Sequence, residues 1–275
     1  MVGAVAKRAA VVRLQEKFPE ASTRHASRVV GLSSGTLYYR PKDRGDGPIE
    51  SRMKELAERF KRYGRPRLHV LMKREELVKN PKKTARIYRK NRLQLANRKR
   101  KKMANVVRIP RPKASHPNEV WSMDFLFDVL LSGRRIKIWP VVDDFTKRCV
   151  SMVVARGITG QDLVEQFEKL PKLPKRIRSD NGPEFQSRAL LDWIGSKNGA
   201  IEHEFIQPGK PIQNAYIESF NSRIRDECLN ENVFIDIEDA RQKTENWLEE
   251  YHSFRPHSSL GMKTPEEFER SLSPG

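Results

Sequence analysis

VWSMDFLFDVLLSGRRIKIWPVVDDFTKRCVSMVVA, residues 120–155, is the stretch that decides the fold. Three apolar segments (VWSMDFLFDVL, IKIWPVV and CVSMVVA) are joined by Ser132-Gly133 and by DDFTKR, the pattern of an antiparallel meander. Asp124 interrupts the apolar face of the first segment between Trp121/Met123 and Phe125. A carboxylate in mid-strand is unfavourable unless it is ligated or hydrogen-bonded. Asp128, further along the same face, lies nearer the strand end and is expected in solvent. Asp143 and Asp144 sit between two strands and read as turn chemistry rather than a metal pair.

Toward the C-terminus the texture becomes α/β. TGQDLVEQFEKL opens with Thr159 and Asp162 in capping-box spacing. A short strand, KRIRS, then delivers Asp180 in SDNGPEF. An acid at the carboxyl end of a strand is where α/β sheets put their working groups, and Gly182 lets the chain turn tightly behind it. A helix around ALLDWIGSKNG, a strand IEHEFI and the loop QPGKP follow. The next helix has two faces at about 100° per residue. Ile217, Phe220, Ile224 and Cys228 form the apolar one, and Asn214, Glu218, Asn221 and Arg225 a neighbouring polar stripe.

Asp124 in the first strand, Asp180 after the fourth and Glu218 on the helix after the fifth can meet if central strands adjoin and the helix packs on them. Three hard oxygen donors without Cys or His suit Mg²⁺ or Mn²⁺ and not zinc. Two such ions would clamp the attacking and leaving oxygens of a phosphodiester displacement. Glu184, close after Asp180, is a minor candidate for a supporting role. His252 and His257 lack metal-ligand spacing and are expected to be structural, or to face DNA beside Arg255. Asp226 and Glu227 are expected only to balance Arg225.

The front of the chain is a different machine. Of a net +19, residues 1–113 hold 33 Lys/Arg against 9 Asp/Glu, and residues 114–275 hold 21 against 26. Such a basic half points to a polyanionic partner. Residues 1–40 read as helix, helix, Gly31 turn and short helix, the order of a helix-turn-helix reader, with Val5, Ala9, Val12 and Phe18 on the first helix's apolar face. Residues 41–48 read as a linker and 49–95 as a three-helix DNA-binding unit built on Ile49, Met53, Leu56 and Phe60. Asn80-Pro81 caps its last helix, which carries Lys82, Lys83, Arg86, Arg89 and Lys90. Residues 96–118 form a basic extended linker whose Arg98, Lys99, Arg100, Lys101 and Lys102 are expected on the DNA backbone. A core over 119–230 and a helical tail over 231–275 complete the plan. Cys149 and Cys228 without a CxxC argue against a zinc site or a disulfide framework. No apolar run is long enough to span a bilayer. The expected setting is the bacterial cytoplasm at the nucleoid.

WSMDF, SDNGPEF and PGKP…NAYIESFNSRIRDE, in that order, resemble the DDE integrase/transposase superfamily with its ribonuclease-H-like core. The nearest likeness is to the second-reading-frame product (OrfB) of bacterial two-frame insertion elements. WLEEYHSFRPHSSLGMKTPEEF is similar to that family's C-terminal signature, so the resemblance covers nearly the whole chain. It implies an α/β fold with a mixed five-stranded sheet flanked by helices, preceded by all-α DNA-binding units. It further implies a metal triad of Asp124, Asp180 and Glu218 with two Mg²⁺ or Mn²⁺ ions per site. Asn181, Gly182 and Asn221 are implied as support, and Lys210, Asn214 and Arg225 as DNA contacts. The implied activity is metal-dependent cleavage and strand transfer on terminal inverted repeats and target DNA. A homo-multimer on paired ends, and fusion to an upstream reading-frame product, belong to the same expectation. The family often leaves 35 residues between the last two acids, whereas 37 lie between Asp180 and Glu218. An inactive, end-binding relic and a plain two-metal nuclease are the alternatives.

Overall fold

In a computed structural model, which describes residues 3–39, 45–96, 113–207 and 214–272, the first apolar run is cut in two at Asp124-Phe125. β1 (Val120–Met123) and β2 (Leu126–Val129) both pair antiparallel with β3 (Arg135–Asp143). Met123 stands opposite Val141 and Leu126 opposite Ile138, so one register runs through both halves. β4 (Cys149–Ala155) takes the other side of β3, antiparallel. β5 (Arg176–Ser179) lies parallel to β1, and β6 (Glu202–Phe205) parallel to β5. Six strand segments therefore fill five positions of one mixed sheet, the ribonuclease-H-like arrangement.

Alternation assigns the two faces. α7 (Gly160–Glu168) and α8 (Arg188–Ser196) cover Trp121, Met123, Trp139, Val141 and Ile177 with Phe167, Leu190 and Trp193. The Thr159–Asp162 capping box starts α7, and its Gly160 lies so close to α8 that a Cβ there would stand 1.8 Å from Ser187 Oγ. α9 (Ala215–Glu227) and α10 (Ile237–Ser253) cover the opposite face, where Leu126, Ile136, Ile138 and Val142 meet Ile217, Phe220, Ile224, Trp247 and Tyr251. Each such side chain removed from water contributes about 1.5–3 kcal/mol. Asp124 shares this second face with Leu126, beneath α9.

α4 (Gly47–Arg59), α5 (Arg65–Arg74) and α6 (Pro81–Lys90) close over Met53, Leu56, Leu68, Met72 and Ile87, and Asn80 caps α6 by accepting from Lys82 N–H. The sequence reading set this unit, the core and the tail apart. The described residues from Ile49 onward pack as one compact unit. Phe254, just past α10, stacks on Phe60 with ring centroids 5.1 Å apart. Ion pairs Arg59–Glu250, Lys61–Glu231 and Arg74–Glu267 (the last with α11, Pro265–Arg270) line the seam.

Residues up to Pro48 form a separate unit of α1 (Ala4–Lys17), α2 (Thr23–Val30) and α3 (Ser34–Tyr38), with Gly31 ending α2 at φ 64°. The expected face of α1 is wrong: Val5, Val12 and Phe18 are exposed, and Val11 is the buried residue. The side that meets α2 and α3 carries Lys7 and Arg8, which donate to the carbonyls of Gly31 and Thr36. The apolar contacts on that side come from Val11 and Leu14, a stripe next to the expected one. Among the described residues no helix is long and apolar enough to cross a membrane.

Candidate active site

The break between β1 and β2 is local chemistry. Asp124 Oδ1 accepts from the N–H of Phe125 at 2.8 Å, and Oδ2 accepts from Asn221 Nδ2 of α9 at 2.9 Å. The carboxylate thus has hydrogen bonds in place of ladder neighbours, which is what a half-buried strand acid requires. Asp180 follows β5 directly, with Oδ1 accepting from Gly182 N–H at 3.0 Å. A Cβ on Gly182 would stand 3.0 Å from that oxygen and 3.4 Å from the Phe185 ring, so a larger residue would press on the acid. Asn181 donates to the Ile206 carbonyl at 3.0 Å and ties the turn to the end of β6. On α9, Asn214 is buried and donates to the Met123 carbonyl at 3.4 Å, seating the helix start on the end of β1. Glu218, in the first turn, stays exposed.

These three acids share one field. Asp124 is pushed up to about 6, first by burial and then by the charges of Asp180 and Glu218, against the Phe125 and Asn221 hydrogen bonds. Partial burial also raises Glu218. Among the described residues no three His, Cys, Asp or Glu side chains stand close enough to enclose a metal ion. The acids are gathered within mutual electrostatic reach, not into a finished cage. Their donor set is all oxygen and anionic, and the side-chain oxygens of Asn214 and Asn221 are buried without a partner. That chemistry fits a hard divalent cation. The 37-residue interval leaves the β5–β6 register unbroken from Arg176–Glu202 to Ser179–Phe205. Asn198 and Gly199, both at positive φ, make the turn between α8 and β6 within that interval.

One pleat below lies an ionic group that the sequence did not reveal. Arg178 is 4 % exposed, yet it donates to Asp144 at 3.0 Å and to Glu204 at 3.0 and 3.1 Å. Asp143 is the turn residue, accepting from the N–H groups of Phe145 and Asn118. Asp144 departs from the expected turn chemistry, because its partner lies 34 positions away. Burial lifts Asp144 to about 6 in spite of Arg178 and Lys147. Glu184 is held by Lys137, a buried cation of β3. Its signal was a lone Lys inside IKIWPVV.

His252 and His257 are structural, the first of the two roles expected, and do not face DNA: His252 Nε2 accepts from Cys149 N–H at 3.1 Å, and His257 is buried against the Tyr251 ring. Burial pushes the first down to about 4, and burial with nearby arginines pushes the second to about 2. Arg255 is likewise buried, in a two-pronged bond to Glu227 at 2.6 and 2.7 Å, so Glu227 does not serve Arg225. Arg225 is exposed.

Lys82, Arg86, Arg89 and Lys90 line one groove with Arg65 and His69 of α5, and Lys90 also pairs with Glu50 at 2.6 Å. Lys83 lies on the same helix. Lys210 and Arg98, Lys99, Arg100, Lys101 and Lys102 lie outside the described residues.

The integrase core domain matches residues 114–211 and again 199–265. The chain is 43 % identical over 251 residues to the insertion element IS407 uncharacterized 31.7 kDa protein of Burkholderia multivorans, covering 90 % of each. It is 41 % identical to the IS476 uncharacterized 39.2 kDa protein of Xanthomonas euvesicatoria, over 95 % of this chain and 76 % of that one. A putative transposase for IS150 of Escherichia coli is 26 % identical over 57 % of this chain and 56 % of its own length. In fold, the chain resembles a protein of the simian T-cell lymphotropic virus intasome, with TM-score 0.52 at 16 % identity over 81 % of this chain and 74 % of that one.

Proposed function

Because this chain belongs to the insertion-element DDE transposases of the integrase, ribonuclease-H-like superfamily, we propose that it cuts its element's DNA ends and joins them to target DNA at Asp124, Asp180 and Glu218. The observation that carries this reading is that Asp124 at the end of β1 is held by Asn221, one turn along α9 from Glu218, while Asp180 follows the adjoining strand β5. Asp124, Asp180 and Glu218 would hold two Mg²⁺ or Mn²⁺ ions, which when bound activate a water or a 3′ hydroxyl and stabilise the leaving 3′ oxygen. Asn221 fixes one oxygen of Asp124, Gly182 fixes one of Asp180, and Asn214 seats the helix that carries Glu218. No Tyr or Ser stands among these residues as a nucleophile, so no covalent protein–DNA intermediate forms. Arg225 and Lys210 hold the scissile strand. The α6 groove and the 98–102 cations track phosphates of the terminal repeat, and a homo-multimer brings two ends together at the nucleoid.

Joining of a pre-cut duplex carrying the element's end to a supercoiled plasmid, in Mg²⁺, tests the proposal. Joined product is expected. Hydrolysis without joining would leave a plain nuclease, and end binding without either reaction an inactive relic.

A further inference from the structure

The backbone ladder that ties the two aspartate-bearing strands stops short of the acids. β1 and β5 pair through Val120–Arg176, Trp121–Ile177 and Ser122–Arg178, and no further. Asp124, in the break between β1 and β2, and Asp180, past the end of β5, therefore stand beyond the pairing that joins their strands. On the face away from α9 a closed circuit of side chains spans the gap. Phe125, next to Asp124, stacks on Phe185 with centroids 4.6 Å apart and planes 7° from parallel. Lys137 Nζ lies 3.6 Å from the Phe125 ring centroid and is ion-paired with Glu184, the neighbour of Phe185. Phe185 is fully buried and the Lys137 side chain is 9 % exposed. A buried cation with one carboxylate partner is no bargain for stability, since apolar residues of the same volume usually do as well. Its directional contacts to one residue of each segment are what an apolar filler would not reproduce.

We propose that Lys137 is a positioning residue, which with Glu184 clamps the strand break at Phe125 and the turn at Phe185 from behind and so sets the separation of Asp124 and Asp180. The inference rests on the reading of those aspartates as metal ligands. Lys137 touches neither the acids nor DNA in this role; it acts through the backbone of both segments. Separation matters because two carboxylates repel each other until a cation lies between them, and a loosened pair gives up affinity for that cation.

The test is a Mn²⁺ titration of the whole chain, following the free-ion signal by electron paramagnetic resonance. Lys137→Met and Glu184→Gln are each expected to weaken Mn²⁺ binding about tenfold, the scale of supporting-residue losses at metal sites. Lys137→Arg, which keeps the cation, should restore most of it. The double variant Lys137→Met/Glu184→Gln leaves no buried charge alone. It should melt like the wild type without metal, yet bind no more weakly than either single variant, because the two act as one contact. Asp124→Asn is the control and should lose binding. Wild-type affinity in both single variants, alongside loss in Asp124→Asn, would overturn the clamp and spare the metal site. Wild-type affinity in Asp124→Asn would overturn the metal reading itself. Should Lys137→Met or Glu184→Gln fail to fold, the double variant decides, since it buries no charge without a partner, and wild-type affinity in it would overturn the clamp.

Discussion

Asp124 is held in a charge conflict that has a measurable signature. Its carboxyl titrates at about 6 against a reference of 3.8, chiefly because it is buried and then because Asp180 and Glu218 face it. Between those pH values the native chain keeps a proton that the unfolded chain has released, so this group's contribution falls as pH rises from about 4 to 6. Above pH 6 the penalty is full, at most about 3 kcal/mol for a shift of this size. Asp124→Asn removes it. Calorimetry in chelator should find the variant melting above wild type at pH 7.5 and the two converging near pH 4; coincident curves at pH 7.5 would mean no conflict exists. Gly182→Ala addresses the second acid, placing a methyl 3.0 Å from Asp180 Oδ1. Misplacing a reacting group by an ångström can cost about a hundredfold. Joining activity should therefore drop at least tenfold while the melting point stays close to wild type.

At the scale of elements, α9 was the most legible part of the chain. Its apolar stripe of Ile217, Phe220, Ile224 and Cys228 is buried as the spacing required. The Thr159–Asp162 and Asn80 caps stand where local sequence put them, because a cap is a contact within four residues. Contacts between distant positions were not legible. Alternation reads straight through Asp124-Phe125, so the break in the first strand was hidden, although the acid that causes it was not. Asp144–Arg178, Lys137–Glu184 and Glu227–Arg255 pair residues 28 to 47 positions apart, and nothing local marks them. The last pair anchors the end of α9 to the tail. Arg255→Ala would leave Glu227, with a side chain 10 % exposed, with only Arg67 at 4.0 Å to balance it. Urea unfolding should report a loss of about 3–5 kcal/mol. A loss under about 1 kcal/mol would show that the pair does not hold the tail.

Across the whole molecule, the charge division was visible in composition but the contacts between 49–95 and the tail were not. The unit over 49–95 reads as an independent helical domain because its own apolar spacing closes a core. Its attachment to the catalytic body depends on Phe254 and a row of ion pairs, which only the folded tail supplies. Those exposed pairs are individually weak, so the aromatic stack is the firmer part of the seam. The α6 groove makes a separable claim about DNA. Replacing Lys82, Arg86 and Arg89 together by alanine should weaken binding to an end duplex and reduce the salt slope by about 3, one for each phosphate that is no longer neutralised. Fluorescence anisotropy at several salt concentrations measures this, and an unchanged slope would place the DNA elsewhere.

The most direct measurement is the joining rate of a pre-cut end in Mg²⁺ for Asp124→Asn, Asp180→Asn, Glu218→Gln and the triple variant. Groups that act as one unit lose their effect together, and further changes then cost little. Each single variant should fall by orders of magnitude, to the level of the triple. A single variant that joins at near the wild-type rate would contradict a site built from all three.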